Sequence, residues 1–339
     1  MKKGLKVVSL FDGISCGRVA LERIGLPVAE YLASEIDKYS ISITQRNFPN
    51  TIQLGDVNNI DFEQIKNGGG IDMLIGGSPC QDLSISGKRA GLQGERSSLF
   101  YQFVKAKKIL KPKYFLLENN YGMPPEAYEE MSELLGCYPI LIDSALVSAQ
   151  SRKRYYWTNI GPANYNLFGF PTCAIPQPKN KNIFLKDVLL SGYGVVAKTY
   201  AHQINRATNK ALSLLARDYK GFGNQATNGV LEPIKLGYLG EKQHQSTNVY
   251  SVKGKSVTLC ANGGGQGAKT GLYKIDLPDG DYIIRKLDPI ECERLQTLPD
   301  NYTHGVSNTQ RYKMLGNCWT VDVIAHIFSF MEFESEVVA

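Results

Sequence analysis

The chain has 339 residues, 43% hydrophobic and 21% charged, with a net charge of +6, which suits a soluble globular protein of roughly two domains. No run of ~18 apolar residues is present to span a membrane, and the basic start Met1-Lys2-Lys3 enters a short strand rather than a signal peptide's apolar core, so an intracellular protein is expected. Seven cysteines without a Cys-x-x-Cys pair, and four scattered histidines, exclude a disulfide framework, a structural zinc site and a catalytic metal cluster.

Residues 5–10 read as a buried strand, Phe11-Asp12-Gly13-Ile14-Ser15-Cys16-Gly17 as a glycine-bearing turn, and 18–24 as a helix stopped by Gly25. Strand, tight turn and helix open a nucleotide-binding α/β unit, in which N–H groups at the helix start face the ligand. The glycine spacing falls short of the full dinucleotide fingerprint. A second strand over 29–34 ends in Glu35, at the distance from Gly17 where such folds place an acid on ribose hydroxyls. A third, over 52–54, leads to Gly55-Asp56-Val57. Asp12, Glu35 and Asp56 therefore end three successive strands. Three carboxylates, without a Gly-Lys-Ser/Thr loop, suit a neutral or cationic adenosyl ligand better than a triphosphate. Taken singly, each reads better as an ordinary polar strand end; the set does not.

The apolar run 71–75 has the length and composition of a buried parallel strand, and Gly76-Gly77-Ser78-Pro79-Cys80-Gln81 follows it. The two glycines are read as a sharp turn off the strand end, stiffened by Pro79. A thiol there is either a packed core cysteine or a group presented at the carboxyl edge of the sheet, where α/β folds bind ligands. The small and basic stretch 84–98 reads as a loop closing over a substrate, or as a plain surface loop. Residues 99–110 form a predicted helix, and 114–117 a strand ending at Glu118-Asn119, a titratable group placed for acid chemistry. A helix over 124–135 and a strand over 140–142 precede Gln150-Ser151-Arg152-Lys153-Arg154. Extended, that segment points Gln150, Arg152 and Arg154 to one side, as a clamp for phosphate or a carbonyl oxygen, or as a basic edge strand.

Pro, Asn and Lys over 171–182 mark a domain boundary, and the text from there to about residue 280 is Gly-, Asn- and Thr-rich. Residues 181–287 hold fifteen Lys and Arg against seven Asp and Glu, a net +8, so the rest sums to −2. A basic segment on a near-neutral body predicts a polyanionic partner, with a solvated basic face that binds nothing as the alternative. Helical text returns with the capping box Asp288-Pro289-Ile290-Glu291, then over 310–315 before Gly316-Asn317, and over 321–330. The domains expected are 1–182 for catalysis and cofactor, 183–287 for target recognition, and 288–339 as helices returning to the first domain.

In this order Phe11-Asp12-Gly13-x-x-x-Gly17, Glu35, Gly55-Asp56-Val57, the run from Gly76 to Gln81, Glu118-Asn119, Gln150-x-Arg152-x-Arg154, Arg294-Leu295-Gln296 and Gly316-Asn317 resemble the cytosine-C5 methyltransferase family. The set spans the chain except for about 185–285. The short length is similar to prokaryotic and phage members, and Ser9-Leu10-Phe11-Asp12-Gly13-Ile14 to the catalytic domain of eukaryotic de novo enzymes. Two departures stand out: Asn120 where the family commonly has Val, and Ser15-Cys16 where many members have Gly-Gly. The resemblance implies a Rossmann-like α/β fold with a mostly parallel sheet and a smaller, irregular β-rich recognition domain. It implies S-adenosylmethionine as methyl donor, held by Phe11, Asp12, Gly13, Gly17, Glu35 (ribose), Ile36, Asp56 (adenine amino group), Val57, Gly77, Pro79 and Asn317. Cys80 would add to carbon 6 of cytosine, Glu118 would hydrogen-bond or protonate N3, and Arg154, assisted by Arg152, would hold the carbonyl oxygen.

The partner implied is double-stranded DNA with the target base flipped out, contacted by Gln81, Ser84, Arg89, Arg217, Lys220, Lys253, Thr258 and Lys269. Lys255 is counted with Lys253 and Lys269 as a phosphate ligand. No metal and no membrane enter. The expected protein is a monomer in the cytoplasm of a prokaryotic or phage-infected cell, with a separately acting restriction endonuclease as a possible companion. Rival readings are the same chemistry on transfer RNA, a catalytically silent DNA-binding paralogue, and a cysteine hydrolase, the last disfavoured because no histidine lies near Cys80.

Overall fold

The computed structural model describes residues 4–79, 99–190, 235–239, 247–259, 272–276, 282–285 and 287–332. Seven strands form one sheet: β1 Leu5–Leu10, β2 Val28–Ser34, β3 Ile52–Gln53, β4 Met73–Gly77, β5 Tyr114–Asn120, β6 Ile140–Asp143 and β7 Lys153–Thr158. Their order is β3-β2-β1-β4-β5-β7-β6. The first five are mutually parallel, and β7 runs antiparallel to both its neighbours. Val7, Val8, Leu10, Met73, Leu74, Ile75, Leu116 and Leu117 are buried on both faces of the sheet, which is why these strands read as continuous apolar runs rather than alternating ones. The parallel arrangement brings the carboxyl ends of β1, β2, β4 and β5 to one edge. The antiparallel β7 brings its first residues there, with Arg154 opposite Asn120.

Helices α1 Cys16–Arg23, α2 Lys38–Asn47, α3 Phe62–Asn67, α4 Phe100–Leu110, α5 Pro125–Leu135, α6 Pro289–Leu295, α7 Asn308–Asn317 and α8 Val321–Phe328 cover the sheet. The returning helix α8 packs on α1. The capping box at α6 forms as read: the Asp288 carboxylate accepts from Ile290 N and Glu291 accepts from Asp288 N at 2.7 Å.

Helix α2 has no counterpart in the sequence reading. Its alternating Ser-Ile-Ser-Ile-Thr text carries a strand period, and the Asp37 cap on the N–H groups of Tyr39 and Ser40 decides for helix. A hairpin of β8 Ala163–Tyr165 and β9 Pro171–Cys173 precedes a four-stranded sheet of β10 Lys235–Tyr238, β11 Asn248–Ser251, β12 Leu272–Asp276 and β13 Tyr282–Arg285.

The largest revision concerns Gly76 and Gly77. They do not turn off the strand; they are its last residues, paired with Leu117 and Glu118 of β5. A Cβ at Gly76 would stand 2.9 Å from the Leu10 carbonyl and 3.0 Å from the Phe103 ring. Glycine is required there for close approach, not for turning.

Candidate active site

At the end of β1 the chain takes three left-handed residues in five: Phe11 at φ 57°, Gly13 at 61° and Ser15 at 60°. Two of these carry side chains, a conformation costing on the order of 1–3 kcal/mol each, so neighbouring groups must hold them. Ser15 Oγ donates to Asp12 Oδ2 at 2.5 Å and Tyr31 Oη to Asp12 Oδ1 at 2.8 Å. Glu35, at the end of β2, completes the loop: Oε2 accepts from Gly13 N at 2.8 Å, and Oε1 from Ile36 N and Asp37 N, each at 2.8 Å. Burial pushes both carboxyls above the usual carboxylate range, against hydrogen bonds that lower them. Asp12, expected on the ligand, thus has both oxygens engaged in holding the turn.

Asp56 caps the short turn at 57–59 through Asn58 N at 2.9 Å, and Val57 beneath it is buried. Ile36 presents an apolar side chain 75% exposed beside Glu35. The ends of β1, β2 and β3 supply Asp12, Glu35 and Asp56 and no basic side chain, and Asn317 stands exposed at the end of α7. Gly17 closes this edge from below: a Cβ there would lie 2.3 Å from Ile75 Cδ1 and 3.4 Å from the Trp319 ring.

The second half of the site gathers at β4, β5 and β7. Glu118, 9% exposed, lies two residues from the Asn120–Arg154 pair on the same strand face, so the two side chains are diagonal neighbours. Arg154 Nε stands 3.0 Å from Glu118 Oε1. Trp319 Nε1 donates to Glu118 Oε2 at 3.2 Å. Gly77 pairs with Glu118 in the ladder, and a Cβ on it would meet Trp319 Nε1 at 2.8 Å and Glu118 Oε2 at 3.1 Å. The missing side chain is what admits the carboxylate and the indole together. Asn119 Nδ2 donates to Ser78 Oγ at 3.0 Å. This fastens the Ser78-Pro79 step to β5 directly before Cys80. Trp319 is the participant that the sequence reading missed; its one signal is position, a rare residue two places beyond Asn317.

Gln150, Arg152 and Arg154 do not act as one face. Gln150 is buried, with Oε1 accepting from Leu259 N at 2.8 Å and Nε2 donating to Gln296 Oε1 at 3.2 Å. Arg152 is buried among backbone carbonyls, and only Arg154 reaches Glu118. The basic segment is seated on this strand's approach: Ser256 N donates to Ala149 O at 2.8 Å, Ser151 N to Ser256 O at 3.2 Å, and Thr258 Oγ1 to Ser151 O at 2.7 Å. Lys255, expected on phosphate, is 2% exposed; its Nζ donates to Ser148 O at 3.0 Å and to Ile183 O, and burial pulls its pKa down. Its neighbour Lys253 is exposed. Cys80, Gln81, Ser84, Arg89, Arg217, Lys220 and Lys269 lie outside the described residues. Among the described residues no group of His, Cys, Asp and Glu could hold a metal ion, and no helix is long and apolar enough to cross a membrane.

Comparison with known proteins gives this arrangement a context. The family model for C-5 cytosine-specific DNA methylases matches residues 5–332. Type II methyltransferase M.HhaI of Haemophilus parahaemolyticus is 31% identical over 335 residues, covering 96% of this chain and 93% of that protein. Orphan methyltransferase M.SPRI of Bacillus phage SPR is 26% identical, covering 96% of each chain. Among solved structures, the Entamoeba histolytica methyltransferase EhMeth superposes with a TM-score of 0.65 at 17% identity, over 97% of this chain and 98% of its own. The S. pombe Dnmt2 methyltransferase does so with 0.63 at 15% identity, over 96% and 98%. These two share the fold.

Proposed function

Because the chain belongs to the C-5 cytosine-specific DNA methylase family, we propose that it transfers a methyl group from S-adenosylmethionine to carbon 5 of a cytosine flipped out of a specific duplex DNA sequence. The observation that carries this reading is Glu118 held between Arg154 and Trp319, beside the Ser78-Pro79 step that leads into Cys80.

The acidic, partly apolar edge fits the methyl donor. The carboxylates of Glu35 and Asp56 suit an adenosyl group carrying a positive sulfur, with Glu35 on the ribose, Asp56 on the adenine, Ile36 against its face, and Asn317 and the turn 11–17, which Asp12 holds in shape, around the rest. When bound, the donor supplies an electrophilic methyl group. Everything else falls to the chain. Carbon 5 of cytosine is a weak nucleophile, and addition of the Cys80 thiolate to carbon 6 pushes an electron pair onto it. Negative charge developing through N3 is met by Glu118 as hydrogen-bond donor or acid. Arg154 fixes that carboxyl, and its guanidinium, with Nη1 donating to Lys153 O at 2.7 Å, is the group that would face the carbonyl oxygen. After methylation, loss of the proton from carbon 5 expels the thiolate and restores the ring. None of this can occur in the stack, so the base leaves the duplex, and the basic segment 183–287 reads and holds the surrounding DNA.

The test uses a duplex carrying 5-fluorocytosine. Fluorine cannot leave as the proton does, so a covalent complex should accumulate on denaturing gels and disappear in Cys80→Ala, which should still bind cofactor. Turnover by Cys80→Ala would overturn the mechanism. Parallel assays on transfer RNA separate the RNA reading, and bisulfite sequencing of DNA from an expressing host gives the site.

A further inference from the structure

Arg152 does not reach the base-binding corner. Its guanidinium, in a side chain of a residue 4% exposed, spans three carbonyls on two distant segments. Nη1 donates to Leu259 O at 3.3 Å, and Nη2 to Gly316 O and Cys318 O, each at 3.2 Å. Leu259 belongs to the stretch by which the basic segment is seated on residues 149–151. Gly316 and Cys318 flank Asn317, on the turn assigned above to the cofactor. A second path runs parallel: Leu259 N to Gln150, Gln150 to Gln296, and Gln296 Nε2 to Leu315 O at 2.7 Å.

A guanidinium is planar and its donors point in fixed directions. It satisfies three carbonyls only while both segments keep one relative placement, and a shift of about 1 Å in either breaks the set. Buried carbonyls left without a donor resist that shift. Arg152 has the geometry of a link between two binding surfaces rather than of a side chain packed within one.

We propose that Arg152 is a positioning residue that couples the cofactor turn to the seat of the DNA-recognition segment, so that each ligand tightens binding of the other. The inference rests on the methyltransferase reading. By linkage the two enhancements must be equal, which gives a measurement independent of turnover. Affinity for the target duplex is measured with and without saturating S-adenosylhomocysteine, and affinity for S-adenosylhomocysteine with and without duplex, in wild type, Arg152→Met and Arg152→Lys. Trp157→Phe, which loses a bond to Ser132 on α5, serves as a control for general loosening of the fold.

Wild type should show an enhancement of about fivefold or more. Arg152→Met should bring both ratios close to one while each ligand alone still binds. Arg152→Lys, with a compact ammonium that reaches fewer carbonyls, should fall between, and it carries the test if the methionine variant does not fold. Trp157→Phe should keep the wild-type ratio. A wild-type ratio near one, or a ratio unchanged in both Arg152 variants, overturns the coupling and leaves the methyltransferase reading standing. A wild type that binds neither duplex nor S-adenosylhomocysteine overturns both.

Discussion

Glu35 directly follows β2 and Glu118 lies two residues before the end of β5, and their surroundings prepare them for different work. Glu118 faces an arginine and an indole, both side chains. Glu35 faces three backbone N–H groups, so it holds the shape of the turn as well as any ligand. Replacing Glu35 by Ala removes bonds to a charged acceptor worth ~1.5–3 kcal/mol each; S-adenosylmethionine binding should weaken by about tenfold or more, with duplex affinity little changed, as read by calorimetric titration. The same residue sets a pH dependence. Burial holds the Glu35 and Asp12 carboxyls above their ordinary range, so the folded protein keeps protons that the unfolded chain has lost. Stability from these groups is full below the unfolded pKa and is lost as pH rises through the folded values. A cationic ligand selects ionised Glu35, so donor affinity should rise with pH across that same window, and Glu35→Gln should flatten the rise. An unflattened profile would place the ligand away from Glu35. The place of Glu35 at the end of β2 was legible because the strand and its distance from Gly17 are local spacings. Trp319 was not, because it meets Glu118 across 201 residues of chain, and no period or motif length encodes such a contact.

Strand β4 shows how far a pattern reading carries at the level of one element. Its apolar run announced a buried strand, and the fold places it beside β1 and β5. Its end was misread, because glycine supports both a turn and a close approach and only the neighbours distinguish them. Those neighbours predict different outcomes for two adjacent substitutions. At Gly76 an added methyl meets the β1 backbone and the Phe103 ring of α4, so Gly76→Ala should cost about 1–3 kcal/mol of stability, visible as a lowered thermal midpoint. At Gly77 it meets Trp319 and Glu118, so Gly77→Ala should cut kcat more than it lowers the midpoint. Equal losses in both variants would remove the special place given to Gly77. Helix α2 is the converse case: the alternation of Ile with Ser and Thr favours no helix, and the Asp37 cap found in the structure decides for one.

For the whole molecule, the sequence divides its charge unevenly, with +8 in residues 181–287 against −2 elsewhere. What it could not say is which cations face outward. Lys253 and Lys255 are two residues apart and read alike, yet one is exposed and the other supports the carbonyls of Ser148 and Ile183. Lys253→Ala should weaken DNA binding evenly across sequences and reduce the salt slope by ~0.9. Lys255→Ala should instead lower stability by about 1–3 kcal/mol through unpaired carbonyls, with the salt slope of the folded fraction unchanged. Arg217→Ala should cost ~1–3 kcal/mol at one base position and relax selectivity there in methylation profiling; if it shares the site preference of Lys253→Ala, the reading residues lie elsewhere. Ser256 and Leu259 meet the sheet through their own peptide groups, taken up by the backbone of Ala149 and Ser151 and by the side chains of Gln150 and Arg152. At these two positions the seam does not depend on which side chain the segment carries. On the proposed assignment of residues 183–287 to target recognition, a segment of different side-chain text that keeps these two peptide contacts should alter which duplexes are methylated and leave the transfer chemistry as it is.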